Sequence, residues 1–96
     1  METADMTESH YVYIIYSEQH DKYYRGYSTN PSQRLIQHNK GKSPYTSNYC
    51  PWNLIYVEEL NDKSSALKRE KVFKKYSKMQ IKDLINLPKN CVLKFH

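Results

Sequence analysis

Tyr13, Tyr24, Arg34, His38 and Glu70 are the residues of this chain whose types and spacing could do chemistry. The two tyrosines sit in aromatic, β-branched runs, residues 11–16 and 23–27, on either side of a polar segment without an apolar residue. That texture is two strands joined by a turn. Pairing Ser17 with Lys22 across a four-residue loop, Glu18 to Asp21, sets Tyr13 opposite Gly26 and Ile15 opposite Tyr24. In this register Tyr13 and Tyr24 share one face as diagonal neighbours, and a one-residue slip would separate them. Asn30 then suits a helix N-cap, Pro31 the first helical position, and Gln33 the return arm of a capping box. Arg34 and His38 follow, four residues apart on one helix face. Such groups suit phosphodiester cleavage: a phenolate or imidazole to take a proton from water, and a guanidinium to hold charge on phosphorus.

The elements that must position these groups can be read along the chain. Residues 39–50 form a loop, broken by Gly41 and Pro44. In it Lys40, Lys42 and Thr46 are candidate phosphate contacts, and Tyr45 or Tyr49 a surface for a base. Trp52 to Glu59 reads as a third strand, with Leu54, Tyr56 and Glu58 alternating against Ile55 and Val57. A helix from about Lys63 to Tyr76, capped by Asp62, places Ala66, Leu67 and Phe73 on an apolar arc with Glu70 in its middle. A carboxylate there needs a lysine, Arg34 or a divalent cation as partner. Met79 to Leu87 reads as a further helix ending at Pro88, with Ile81, Leu84 and Ile85 inward. The resulting fold class is α+β, a three-stranded antiparallel sheet flanked by helices in the order β-β-α-β-α-α.

Composition bounds the rest. A net charge of +5 over 96 residues suits a polyanionic partner, and no apolar run approaches a membrane-spanning length. Residues 1–9 read as a disordered leader, 10–88 as the single domain and 89–96 as a short extended tail docking on it. Cys50 and Cys91 are too few and too far apart for a zinc site of their own, and read as reduced thiols of a cytoplasmic protein. His10, His20 and His96, in the leader, the turn and the tail, read as incidental.

Tyr11-Val12-Tyr13, ten intervening residues and then Tyr24-Arg25-Gly26 resemble the GIY-YIG nuclease signature. The resemblance continues through Gly26-Tyr27-Ser28, Arg34-x-x-x-His38-Asn39, Pro51-Trp52-Asn53-Leu54 and Ala66-Leu67-Lys68-Arg69-Glu70-Lys71. It spans roughly residues 10–87 and is to small stand-alone members, related to the catalytic domain of the excision-repair endonuclease. The order of tyrosines, arginine, histidine and glutamate makes it specific.

The resemblance implies a GIY-YIG fold and hydrolysis of DNA phosphodiesters with one Mg2+ or Mn2+, in repair or recombination, with RNA as substrate left open. Glu70 would hold the metal and Arg34 would neutralise the phosphorane. Tyr13 would be the general base, Tyr24 would position water or phosphate, and His38 would hydrogen-bond a tyrosine hydroxyl or the phosphate. Asn86, with Asn90 as second choice, would supply a late asparagine at the phosphate. The alternatives are an inactive nucleic-acid-binding module of the same fold, and a nuclease subunit that needs a protein partner for targeting. One departure concerns the fold: Arg25 stands where the signature has an apolar residue, so it must reach a sheet edge or find a carboxylate.

Overall fold

The computed structural model describes residues 8–95; residues 1–7 of the expected leader lie outside the described residues. Strand β1 (His10–Ser17) pairs antiparallel with β2 (Lys22–Ser28), with Tyr13 opposite Gly26, Ile15 opposite Tyr24 and Ser17 opposite Lys22. The register is the one that the polar turn and the alternation of side chains require. Asp21 closes the turn in the left-handed region, at φ 51°, which a short polar side chain tolerates better than a bulky one. Its carboxylate accepts from the Tyr16 hydroxyl at 3.0 Å and pairs with Lys78 at 2.7 Å.

Strand β3 (Asn53–Leu60) pairs with the other side of β1, giving the order β2-β1-β3. Ile14 faces Tyr56 and Ile15 faces Leu54, so Ile55 is the extra residue of a β-bulge. The bulge flips the strand between Leu54 and Tyr56. Leu54 therefore packs with Tyr13, Ile15, Trp52 and Val57, while Tyr56 packs with Val12 and Ile14 on the opposite face. The expected single face for Leu54 and Tyr56 is corrected accordingly.

Asn90 satisfies the backbone that the bulge disturbs. Its Nδ2 donates to Ile55 O at 3.1 Å and Ile85 O at 3.0 Å, and its Oδ1 accepts from the Val57 and Val92 amides, each at 3.1 Å. The segment after it is a single 3-10 turn, Val92–Phe95, with Phe95 edge-on to Tyr11 at 5.2 Å, rather than an extended tail.

Two helical layers enclose the sheet. On the Tyr13 face lie α1 (Pro31–Asn39), a 3-10 turn at Thr46–Tyr49 and the C-terminal turn, contributing Leu35, Tyr49, Val92 and Phe95. Asn30 caps α1 by accepting from the Gln33 amide at 3.1 Å, but the Asn30 amide donates to Ser28 Oγ at 2.8 Å, so Ser28 takes the place expected for the Gln33 side chain. On the opposite face lie α2 (Lys63–Phe73), capped by Asp62, and α3 (Lys78–Ile85). They bury Ala66, Phe73, Ile81 and Leu84 against Val12, Ile14 and Tyr56. A Ser77–Gln80 capping box opens α3, and α2 stops at Phe73, short of the expected Tyr76. Leu67 and Ile85, expected inside, are exposed.

Polar clamps fix α2. The Tyr56 hydroxyl and Arg69 both donate to the buried Glu58 carboxylate, at 2.6 and 3.2 Å, and Arg69 lies 4.5 Å over the Phe73 ring. Arg25 points to this face and pairs with no carboxylate among the described residues; it donates from Nε to Phe73 O at 3.1 Å and from Nη2 to Tyr76 O at 2.9 Å. Carbonyls at a helix C-terminus lack intrahelical partners, and a cation there also meets the negative end of the helix dipole.

Candidate active site

The site grows from Tyr13, which lies on β1 with its ring over Gly26 of β2. A Cβ at Gly26 would stand 2.5 Å from Tyr13 Cζ and closer still to the hydroxyl, so only glycine leaves room for the phenol. The Tyr13 hydroxyl is 2.8 Å from His38 Nε2, and His38 Nδ1 is 2.8 Å from Thr46 Oγ1. The Thr46 hydroxyl in turn reaches Ser43 O at 3.5 Å. The sense in which all three contacts are hydrogen bonds at once runs toward the Ser43 carbonyl, which can only accept. Thr46 donates to Ser43, His38 Nδ1–H donates to Thr46, and the Tyr13 hydroxyl donates to His38 Nε2.

This assignment requires a neutral imidazole, and the surroundings enforce one. His38 is wholly buried; burial, with the Arg34 charge second, pulls its pKa down from 6.5 to about 4. Tyr13 is 1% exposed. Burial pushes its phenol well above the ordinary value, Tyr24 pushes the same way, and the Arg34 charge and hydrogen bond oppose both. Glu70 also raises it. Tyr24, Arg34 and Glu70 therefore each bear electrostatically on Tyr13, and His38 is hydrogen-bonded to it.

The remaining groups surround this pair. Tyr24, half-buried on β2, stands edge-on to the His38 ring at 5.0 Å. Arg34 is oriented by a hydrogen bond from Nη1 to Gln37 Oε1 at 2.8 Å. Glu70 comes from α2 on the other side of the sheet; its carboxylate is 18% exposed and among the described residues pairs with Lys74, at 3.7 Å. Among the described residues no cluster of three or more histidines, cysteines or acids could hold a metal. One part-exposed carboxylate with a loose lysine partner fits Mg2+ or Mn2+, which keep most of their water and take few protein oxygens beside phosphate.

The expected nucleic-acid contacts fall in different places. Lys40 and Lys42 are exposed just past the end of α1, and Asn86 is an exposed C-cap of α3. Thr46 is wholly buried, with its hydroxyl committed to His38. It stands behind the site, not on its surface. Asn90 is engaged entirely with backbone.

Sequence reading left the loop tyrosines undecided. Tyr45 is 53% exposed, 6.2 Å from Tyr24 and 5.5 Å from Tyr49, so an aromatic row leads outward from the site. Lys22 lies 5.5 Å over Tyr49. The aromatic spacing in the loop was visible in the sequence; its junction with Tyr24 depends on the fold.

Comparison with known proteins agrees with this fold. The family profile described as the GIY-YIG catalytic domain matches residues 9–82. The chain is 40% identical over 72 residues, 74% of its length, to a UPF0213 protein of Staphylococcus haemolyticus, covering 87% of that relative. It is 33% identical over 81 residues, 83% of its length, to a UPF0213 protein of Natronomonas pharaonis, covering 94% of that one. It is also similar to the solution NMR structure of a UPF0213 protein from Bacillus halodurans. The TM-score is 0.52 at 29% identity, over 84% of this chain and 86% of that one. The chain belongs to the GIY-YIG family, whose fold is that of endonucleases.

Proposed function

We propose that the protein is a divalent-metal-dependent DNA endonuclease that hydrolyses phosphodiesters with one metal ion. The observation that carries this is the Tyr13–His38 hydrogen bond with Tyr24 edge-on to the imidazole, at a place where Arg34 and Glu70 both act electrostatically on Tyr13. A module that only bound nucleic acid would have no use for a carboxylate beside buried phenols, because it repels the phosphate it would face.

Glu70 is the residue that would hold the metal, which when bound polarises the scissile phosphate and stabilises the departing 3′ oxygen. Arg34 neutralises charge on the pentacoordinate phosphorus. The roles of the tyrosines are best exchanged relative to the expectation from sequence. The Tyr13 proton is directed at His38, and burial opposes the phenolate, so Tyr13 is suited to holding the site in place. Tyr24 is the more exposed phenol and takes a proton from the attacking water. His38 stays neutral and accepts from Tyr13.

Labelled flaps, branches, nicked and intact duplexes, and RNA, incubated with Mg2+, Mn2+ or EDTA, test the reading. Cutting that needs metal and is lost in Glu70→Gln supports it. Binding without cutting on every substrate contradicts it.

A further inference from the structure

We infer that Arg25 is a positioning residue for the metal-binding carboxylate: by fastening the C-terminal end of α2 to β2, it sets Glu70 against Tyr24. The inference rests on the nuclease reading above.

Arg25 lies between Tyr24 and Gly26, the two residues of β2 that touch the catalytic face. Its own side chain points the other way and takes Phe73 O and Tyr76 O with two separate nitrogens. Phe73 follows Glu70 by one helical turn. One residue of β2 thus faces the site, and its neighbour grips the helix that delivers the carboxylate.

That grip matters because α2 is weakly anchored by apolar contact. It buries only Ala66 and Phe73, while Leu67 and Val72 are each 42% exposed. Two apolar side chains fix where a helix lies but leave its tilt soft, since helix orientation is set by interdigitating ridges of side chains. The Arg69–Glu58 pair ties α2 to β3, and Arg25 ties it to β2. Glu70 sits between these two clamps. A planar guanidinium is suited to the task, because its donors lie in a rigid fork that fixes the direction to both acceptors, whereas an ammonium's donors rotate at the end of a flexible stem.

The apolar residue of the signature could not make these bonds, so restoring it in this chain should harm the site. In Arg25→Ile, the Mn2+ concentration that broadens the Glu70 amide in NMR spectra should rise about tenfold, the usual scale for losing a residue that orients a metal ligand. Exchange of the Lys74, Lys75 and Tyr76 amides should quicken about tenfold, while amides of α1 keep their wild-type rates. Arg25→Lys should fall between, and it serves if Arg25→Ile does not fold. Broadening should vanish in Glu70→Gln. Wild-type Mn2+ response and exchange in a folded Arg25→Ile, or faster exchange with an unchanged Mn2+ response, overturns the inference alone. Absence of Glu70 broadening in the wild-type protein overturns it together with the nuclease reading.

Discussion

At the scale of residues, the decisive object is a buried hydrogen-bond chain that runs from Tyr13 through His38 to Thr46. Neutral His38 has a consequence for stability. Between pH 6.5 and about 4 the unfolded chain binds a proton at His38 that the folded protein does not. Stability therefore falls as pH drops through that window, by about 3 kcal/mol once both limits are passed. At the alkaline end the Tyr13 phenol stays protonated in the fold beyond its ordinary value, so stability falls again as pH rises above roughly 10. Urea midpoints across pH should show a plateau between these limits, and His38→Gln should flatten the acidic side. An acidic slope that survives His38→Gln places its origin elsewhere.

Residue types were legible in the sequence where chemistry requires them. Tyr13, Tyr24, Arg34, His38 and Glu70 could be named because few residues replace a phenol, a guanidinium or a carboxylate in such a pattern. The depth at which each tyrosine is buried was not legible, because it depends on how β2 and the loop after α1 pack around them. Nor was the position of Thr46. A threonine in a polar loop looks like a surface residue until the loop folds back on His38.

At the scale of elements, the hairpin register followed from alternation and turn length, both local properties. β3 misled because alternation cannot reveal a bulge, and the residue that sustains the bulge, Asn90, lies 35 positions from Ile55. Removing its amide leaves Ile55 O and the Val57 amide without their side-chain partner. Asn90→Ala should therefore cost about 2 kcal/mol of stability, within the usual range for orphaned backbone groups. A loss of only a few tenths in chemical denaturation, the scale of an ordinary surface change, would show that the bulge needs no such support. The clamps on α2 were hidden for the same reason. Arg25 looked like a misplaced charge on a strand because its partners are carbonyls at the last residue of α2 and just beyond it, 48 and 51 residues away.

At the scale of the whole molecule, charge and size direct attention to the surface around the site. The chain carries a net +5, and no helix among the described residues is long and apolar enough to cross a membrane. Lys40 and Lys42 are exposed past the end of α1, the helix that holds Arg34 and His38. If they touch phosphate, Lys40→Ala with Lys42→Ala should weaken DNA binding and shallow the salt slope by roughly the two contacts removed. A salt titration with the wild-type slope would take that loop off the contact surface.

The central claim is that these residues cut and do not merely hold. Its most direct test is single-turnover cleavage by wild type, Tyr24→Phe and Glu70→Gln, with binding of each to the same DNA measured in EDTA. The account predicts that all three bind, that wild type alone cuts at full rate, and that Tyr24→Phe loses on the order of a hundredfold or more, the scale of a missing general base. Tyr24→Phe cutting at the wild-type rate would contradict the assignment of the base. Wild type that binds and never cuts would contradict the account itself.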